Sequence, residues 1–283
     1  MNAIAREQPF SPPEPATHPD LLAVGQPPIP AMALRGLSKR FGEKIAVHEV
    51  DLTVPVGSFY GLVGPNGAGK TTTISMAVGL LRPDTGSSRI FGVDVWEEPL
   101  RAKALVGVMP DGMVMPERLT GRELLVYLGQ LRGLPPDDVY ARADDLLDAL
   151  GLLGAERTLI AEYSAGMRKK IVLATALLHA PSLLILDEPL EAVDPVSAST
   201  IKRILQRFVA SGGSVVLSSH VMPLVEQLCD HVAIIDKGVV AAAGRLDEVR
   251  GGRSLEDAFV QLVSGGPATA VRLAWLDNGP QHH

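Results

Sequence analysis

A glycine-rich segment ending in a lysine and two threonines follows the apolar run Tyr60 to Val63. It consists of Gly64, Pro65, Asn66, Gly67, Ala68, Gly69, Lys70, Thr71 and Thr72. Its glycines would let backbone N–H groups curl around a polyphosphate, and a helix starting near Lys70 would point its positive dipole end at the same anion. Lys70 would pair with the outer phosphates, and the Thr71 hydroxyl would ligate Mg²⁺. The pattern predicts a phosphate-binding loop; a glycine-rich turn with an accidental lysine is the alternative.

Two acids, Asp187 and Glu188, directly follow the apolar run Leu183 to Leu186. Side chains alternate along a strand, so the two carboxylates would point to opposite sides of the strand end and could do different jobs. Asp187 would hold Mg²⁺ through water, and Glu188 would polarise an attacking water as a general base. Acids after a strand are also common in solvated turns. The phosphate-binding loop upstream favours the catalytic interpretation.

The elements that must position these residues alternate between strand and helix. Strand-like runs are Val50 to Val54, Phe59 to Val63, Leu183 to Leu186 and Ser214 to Ser218, and helical stretches separate them. Such alternation predicts a largely parallel sheet covered by helices on both faces. Between about Met113 and Tyr163 the pattern becomes helical. Thr120 and Glu123 form a predicted capping box, and a second helix is expected over roughly Pro136 to Leu150.

The two ends of the chain differ from this folded region, which runs from about residue 32 to 250. Residues 1–30 contain eight of the 22 prolines, so we expect residues 1–31 to form an extended, mobile tail. Residues 251–283 are expected to form a C-terminal extension. In it Ser254 to Leu262 is predicted to be helical, and Val271 to Leu276 is either a strand or a loosely docked segment.

Composition restricts the classes of function. The 283 residues are 46% hydrophobic and 20% charged, as in ordinary globular proteins, and the net charge of -6 disfavours nucleic acid as a partner. The one cysteine, Cys229, excludes an internal disulfide and fits a reducing compartment. The longest apolar stretch, Ile171 to Leu186, is interrupted by polar residues and a proline and is not expected to span a bilayer. No signal-peptide pattern is found at the N-terminus.

With these two sites placed, the chain resembles the ATP-binding cassette (ABC) family over nearly all of residues 33 to 250. The segment Tyr163 to Met167 is similar to the family's signature loop, which normally reads Leu-Ser-Gly-Gly-Gln; Ser164 and Gly166 match it. Ser164 would cap a helix whose apolar face includes Ile171, Ala174 and Leu178. In the family, this helix end contacts the γ-phosphate held by the opposite subunit. An ordinary helix cap is the alternative.

Three further positions contribute to the resemblance. Asp194, in Val193-Asp194-Pro195, resembles the family's D-loop at the dimer interface, and His220 resembles the histidine that contacts the γ-phosphate. Phe41 stands where the family places an aromatic residue that stacks on adenine. Asp111 departs from the pattern, because the family usually has a glutamine there that touches the metal's water. Aspartate can accept a hydrogen bond from a metal-bound water but cannot donate one.

The resemblance points to the exporter-type branch of the family. The relaxed signature loop, Asp111 and the segment Ser254 to Phe259 are similar to subunits for drugs, antibiotics and polysaccharides. The methionines Met109, Met113 and Met115 start the helical insertion. They suit either a groove that receives a helix of another protein or an irregular core.

The resemblance implies a P-loop NTPase (RecA-like) α/β fold with a mostly parallel sheet, an antiparallel β subdomain and a helical subdomain at about residues 113–165. It implies an ATPase that uses ATP and Mg²⁺ and pairs with a second ATP-binding subunit. A separate integral-membrane subunit would be its partner, on the cytoplasmic face of the cell membrane. The rivals are a cassette protein that acts on ribosomes or DNA, a small-molecule kinase, and a catalytically degenerate regulatory cassette.

Overall fold

The computed structural model describes residues 28–264, which form ten strands and nine α-helices. The strands are β1 (Met32–Phe41), β2 (Lys44–Val54), β3 (Phe59–Val63), β4 (Thr85–Ile90), β5 (Val93–Asp94), β6 (Val106–Met109), β7 (Leu183–Leu186), β8 (Ser214–Ser219), β9 (His231–Asp236) and β10 (Val239–Arg245). The helices are α1 (Lys70–Ala77), α2 (Pro99–Leu105), α3 (Gly121–Leu131), α4 (Pro136–Ala149), α5 (Ala165–Leu177), α6 (Pro195–Ala210), α7 (Met222–Leu228), α8 (Leu246–Arg250) and α9 (Leu255–Ser264).

The central sheet has six strands in the order β10-β9-β3-β8-β7-β6. All neighbouring pairs from β9 to β6 are parallel, and only β10 runs antiparallel to its neighbour β9. Every residue of β3, β7 and β8 is buried, because α5, α6 and α7 cover one face and α1 together with a second sheet covers the other. The predicted parallel sheet is confirmed. Since β8 lies between β3 and β7, the loops that follow β3 and β7 leave the same edge close together.

A second, antiparallel sheet has the order β2-β1-β4-β5 and packs beside the first. Its apolar residues share one hydrophobic core with a face of the central sheet. Backbone hydrogen bonds link the two sheets to the glycine-rich loop: Gly238 N–H donates to Ala68 O (2.8 Å), and His48 N–H donates to Gly238 O (2.8 Å). The loop is therefore held by both sheets.

The predicted helical insertion is present between β6 and β7. Its first helix, α3, begins with the predicted capping box, in which Thr120 accepts from the Glu123 N–H and the Glu123 side chain accepts from the Thr120 N–H. The second helix, α4, packs tightly against α3, since a Cβ at Gly129 would lie 2.7 Å from the Val139 side chain. Two 3₁₀ turns, Leu153–Ala155 and Ile160–Glu162, lead on to α5.

The methionines at the start of the insertion belong mainly to the core. Met109 and Met115 are buried, and Met113 is partly buried against the same hydrophobic cluster. Of the two alternatives left open by the sequence, the structure therefore favours an irregular core. Thioether side chains fill such irregular space well.

The two ends of the described region can be compared with the sequence in part. The predicted helix at Ser254 to Leu262 corresponds to α9, whose first residue, Leu255, is buried and donates its N–H to Glu226 of α7 (2.7 Å). At the other end, Ala31, the last residue of the tail predicted over residues 1–31, is buried and donates its N–H to Val54 O (2.9 Å), so it packs with the folded region. Residues 1–27 of that predicted tail and the segment Val271 to Leu276 lie outside the described residues.

Cys229 is buried, and burial raises the pKa of its thiol far above the usual range. A thiol with a raised pKa is a poor nucleophile, so its role is packing. Within residues 28–264, every helix is too short or too polar to span a lipid bilayer.

The close approach of β6 and α5 generates a stability prediction. A Cβ at Gly107 would lie 2.1 Å from Ala176 O, so backbone must move to accept it. We expect Gly107→Ala to lower the free energy of unfolding by about 1–3 kcal/mol or more, as overpacking does. Gly154→Ala is the matched control, because a Cβ there meets nothing within 4 Å. Thermal denaturation that leaves the Gly107→Ala protein as stable as the control would contradict this packing.

Candidate functional site

The glycine-rich loop (residues 64–72) connects β3 to α1 at the carboxyl edge of the central sheet. Close backbone packing requires its glycines: a Cβ at Gly64 would lie 2.1 Å from Ile235 O. Gly69 caps α1 with a left-handed φ of 107°, and a Cβ there would lie 2.6 Å from Ala46 O. The N-terminus of α1 thus opens onto the loop with backbone N–H groups free of helix partners, which is the arrangement that binds anions.

Lys70 places a buried ammonium group in this loop. Its side chain is 6% exposed, and Nζ donates to Gly64 O (2.7 Å) and Pro65 O (3.3 Å). The same Nζ lies 3.5 Å from Glu188 Oε1, which belongs to the loop after β7. The predicted phosphate-binding lysine and the predicted general base are therefore direct neighbours.

The two acids after β7 face different partners. Asp187 is 1% exposed, and its Oδ1 accepts a hydrogen bond from the Ser218 hydroxyl (2.5 Å). Glu188 lies beside Lys70, and its N–H donates to the same Ser218 oxygen (2.9 Å). Glu188 has a φ of 46°, a left-handed conformation that costs a non-glycine residue about 1–3 kcal/mol. The buried hydroxyl of Ser218 in β8 thus joins the two acids.

His220 completes the cluster from the end of β8. Its Nδ1 lies 3.2 Å from Glu188 Oε2, so the Glu188 carboxylate is bracketed by Lys70 on one oxygen and His220 on the other. A cavity of about 180 Å³ opens beside these two side chains and is lined by the loop after β7 and the start of α7. The imidazole is 36% exposed and can reach a ligand in that opening.

The chemistry of this cluster fits a nucleoside triphosphate with Mg²⁺. Glu188 Oε1 is buried and makes no hydrogen bond within the described residues; the Lys70 ammonium lies 3.5 Å from it, at ion-pair distance. An unsatisfied buried acceptor is costly unless a water or a ligand meets it. The loop and α1 supply N–H donors and a cation for phosphates, and Asp187 and Thr71 supply the oxygens that Mg²⁺ prefers.

The segment similar to the signature loop lies at the start of α5. Ser164 accepts a hydrogen bond from the Met167 N–H (3.2 Å), which confirms the predicted helix cap. A Cβ at Gly166 would lie 2.5 Å from Asp194 Oδ2, so the residue that caps α6 packs directly on this segment. The Ser197 N–H and hydroxyl hold the pKa of Asp194 below its usual range. Within the described chain, no hydrogen bond or ion pair joins residues 163–167 to residues 64–72.

Phe41 and Asp111 lie at the margins of the cluster. Phe41 ends β1, is 51% exposed, and has Lys39 Nζ at 5.9 Å from its ring centroid. Asp111 follows β6, is half exposed, and lies 3.5 Å from Lys169 Nζ on α5. Asp111 is thus placed beside a lysine that the sequence analysis did not select.

Two residues of the cluster escaped sequence reasoning. Ser218 appeared in the sequence only as the end of a strand-like run; it is one of three buried serines in β8, and a buried hydroxyl is a signal that it bonds a partner. Lys169 bonds the Glu188 carbonyl oxygen (2.8 Å) as well as approaching Asp111, and no local pattern marks it.

Comparison with known proteins identifies the family. The sequence profile of the family described as ABC transporter matches residues 47–191, which is half of the chain. The chain belongs to the ABC transporter family. The daunorubicin/doxorubicin resistance ATP-binding protein DrrA of Streptomyces peucetius is 40% identical over 79% of this chain and 68% of its own length. The linearmycin resistance ATP-binding protein LnrL of Bacillus subtilis is 35% identical over 84% of this chain and 76% of its own.

Solved structures agree with this ABC assignment. A structure described as the ATP-binding subunit of an ABC transporter is 30% identical, has a TM-score of 0.77, and covers 82% of this chain and 99% of its own. A dimeric ATP-binding cassette solved in a post-hydrolysis state with ADP and phosphate shares the fold, with a TM-score of 0.70 at 21% identity over 76% of this chain and 98% of its own. The resemblance to an ABC ATPase of the exporter-type branch is confirmed, together with the predicted fold class.

The bridging role of Ser218 is testable by removing its hydroxyl. We expect Ser218→Ala to lower kcat for ATP hydrolysis about tenfold or more, because a reacting group displaced from its geometry loses much of its effect. Ser58→Ala is the matched control. Ser58 is also buried and its hydroxyl donates to Pro55 O (2.7 Å), but it lies before the amino end of β3, at the side of the sheet away from the site. Each variant should lose about 1 kcal/mol of stability.

Equal ATPase activity in the Ser218→Ala and Ser58→Ala proteins, measured by phosphate release, would show that Ser218 contributes only to folding.

Proposed function

We propose that this ABC ATPase hydrolyses ATP with Mg²⁺ and drives export through a separate membrane-spanning subunit. The contact of 3.5 Å between Lys70 Nζ and Glu188 Oε1 carries the proposal, because it joins an anion site to a carboxylate in one cluster. Phosphoryl transfer to water needs this combination of charge stabilisation and a water-orienting group. Phosphate release by the purified chain tests it.

Each residue of the cluster has a proposed part in hydrolysis. Loop residues 64–72 bind the phosphates, with Lys70 on the outer ones, and Phe41 stacks on the adenine. Thr71 and Asp187 would hold Mg²⁺, Asp187 through water; Asp111 is a further candidate for contact with that water. Bound Mg²⁺ neutralises phosphate charge. Glu188 orients the attacking water and accepts its proton, while His220 bonds the γ-phosphate and fixes the Glu188 carboxylate.

The residues of the signature-like segment are proposed to act on a second subunit. Ser164 and Gly166 form no polar link to the phosphate-binding loop of their own chain in the part that the structure describes. They stand at the N-terminus of α5, where backbone N–H groups and the helix dipole favour an anion. In a dimer closed by ATP, they would cover the γ-phosphate of the partner, and Asp194 would lie at the interface.

The transported molecules are proposed to be drugs or antibiotics of the kind named for the relatives. Those proteins are described as conferring resistance to daunorubicin, doxorubicin and linearmycin. We place the chain at the cytoplasmic face of the membrane, bound to its membrane subunit. Copurification from detergent-solubilised membranes tests this, and recovery of the chain without an integral-membrane protein would count against it.

A catalytically degenerate cassette is the second candidate, favoured by one observation. Asp111 replaces the usual glutamine and is engaged with Lys169. The intact Lys70, Asp187, Glu188 and His220 cluster supports activity instead. Basal ATPase activity of the isolated chain separates the two functions, since a degenerate cassette would bind ATP without releasing phosphate.

Removal of the charge on Glu188 should separate ATP binding from hydrolysis. We expect Glu188→Gln to lower kcat by about 10²–10⁴-fold, the usual contribution of general-base catalysis, while ATP still binds and holds two subunits together. Size-exclusion chromatography with ATP and Mg²⁺ should show a persistent dimer. Glu191→Gln is the control, because Glu191 is an exposed acid in the same loop. Undiminished turnover by Glu188→Gln would remove Glu188 from this role.

Removal of the ammonium from the phosphate-binding loop should weaken nucleotide binding. Charge-assisted hydrogen bonds contribute about 1.5–3 kcal/mol, so Lys70→Ala should raise the Kd for ATP about 10- to 150-fold. Isothermal titration calorimetry measures this directly. Lys103→Ala changes an exposed lysine of α2 and should leave the Kd unchanged. An unaltered Kd in the Lys70→Ala protein would show that the phosphates bind elsewhere.

A further inference from the structure

The backbone of Glu188 is held from both sides in an unfavourable conformation. Its φ of 46° lies in the left-handed region, which a glutamate adopts only when neighbouring contacts enforce it. On one side the Glu188 N–H donates to Ser218 Oγ (2.9 Å). On the other side Lys169 Nζ donates to the Glu188 carbonyl oxygen (2.8 Å), which also accepts from the Glu191 N–H (3.3 Å). The direction of the Glu188 side chain therefore depends on a lysine of another element.

Lys169 connects three functional segments. It lies in the second turn of α5, the helix whose N-terminus carries Ser164 and Gly166. Its side chain is 20% exposed, so its hydrogen bond to the Glu188 carbonyl is partly shielded from water. Its ammonium also lies 3.5 Å from Asp111 Oδ1, in the loop that follows β6. The carboxylate of Glu188 is directed to Lys70 and His220 instead.

The ion pair with Lys169 explains why an aspartate can stand at position 111. A half-buried ammonium that bonds only a carbonyl oxygen lacks a counter-charge, and a carboxylate at Asp111 supplies it. A glutamine would offer an oxygen but no charge. Asp111 and Lys169 thus form a matched pair, and a change to one is expected to weaken the contribution of the other.

We propose that Lys169 is a positioning residue for Glu188, fixed in turn by Asp111; this inference rests on the proposed function. By holding the Glu188 carbonyl, Lys169 keeps the carboxylate aimed at the attacking water. Because Lys169 belongs to α5, a shift of this helix when Ser164 and Gly166 engage the partner subunit's nucleotide moves the Glu188 peptide as well. Closure of the dimer and alignment of the general base are thereby coupled.

The test separates alignment from binding and from folding. Lys169→Met keeps the aliphatic stem and removes the ammonium. We expect kcat to fall about 10- to 100-fold, the effect of a misplaced reacting group, with the Kd for ATP changed less than about twofold. Lys169→Arg should retain most of the activity, since it can still donate to the carbonyl. Lys202→Met is the control, because the Lys202 ammonium also donates a hydrogen bond, to Gln227 Oε1 (3.2 Å), away from the site.

Hydrogen–deuterium exchange of the nucleotide-free protein supplies a readout that does not depend on activity. Peptides covering residues 187–193 should exchange faster in Lys169→Met than in the wild type or in Lys202→Met. Asp111→Asn, at a half-exposed side chain, should give a smaller change in the same direction. In the double variant Lys169→Met/Asp111→Asn, the same peptides should exchange no faster than in Lys169→Met alone, because the two residues act through one contact.

Wild-type kcat and wild-type exchange in Lys169→Met would overturn the inference. A parallel loss of kcat, ATP affinity and melting temperature would also overturn it, since that pattern belongs to a purely structural residue. If the wild-type chain hydrolyses no ATP, the proposed function is wrong, whatever the role of Lys169. The exchange experiment then still decides whether Lys169 holds the Glu188 peptide.

Discussion

The position of β8 between β3 and β7 is the constraint on which the candidate site depends. Parallel strands leave the sheet at one edge, so the loop after β3 and the acids after β7 emerge on either side of a single strand. That spacing brings Lys70 and Glu188 to 3.5 Å. A buried ammonium and a buried carboxylate would each be costly alone, and each makes the other tolerable. In the proposed function, this proximity places the lysine that would bind the outer phosphates beside the carboxylate that would orient the attacking water.

The middle strand also contributes chemistry of its own. Ser218, buried in β8, bonds both acids after β7, and two residues later His220 reaches Glu188. The strand that separates the two loops thus ties them into a polar network. Networks of this kind rigidify a site only when their members are satisfied, and Glu188 Oε1, which makes no hydrogen bond within the described residues, has the Lys70 ammonium at 3.5 Å.

Local signals in the sequence predicted two helix starts correctly. The capping box at Thr120 and the helix cap at Ser164 each depend on a few adjacent residues. The loop at residues 64–72 is also marked by adjacent residues, and its binding of phosphate stays a prediction. Hydrophobic runs gave β3 and β7 with the observed bounds. The antiparallel sheet was predicted from the family resemblance and not from periodicity. The same resemblance selected Asp111, Asp194 and His220 as candidate site residues.

Contacts between distant elements could not be predicted in the same way. Lys169 and Glu188 are 19 residues apart, and their contact depends on how α5 crosses the end of β7. The left-handed backbone conformation of Glu188 could not be predicted from the sequence, because glutamate does not favour a positive φ. The burial of Met109 and Met115 follows from how the insertion packs on the sheet, and composition alone left it undecided.

A crystal structure of the chain with Mg²⁺ and a non-hydrolysable ATP analogue tests the central claim most directly. The account predicts that the triphosphate lies along residues 64–72, that Lys70 turns from Glu188 to the outer phosphates, and that the metal lies between Thr71 and Asp187. A nucleotide bound away from that loop, or a metal held without the acids that follow β7, would contradict it.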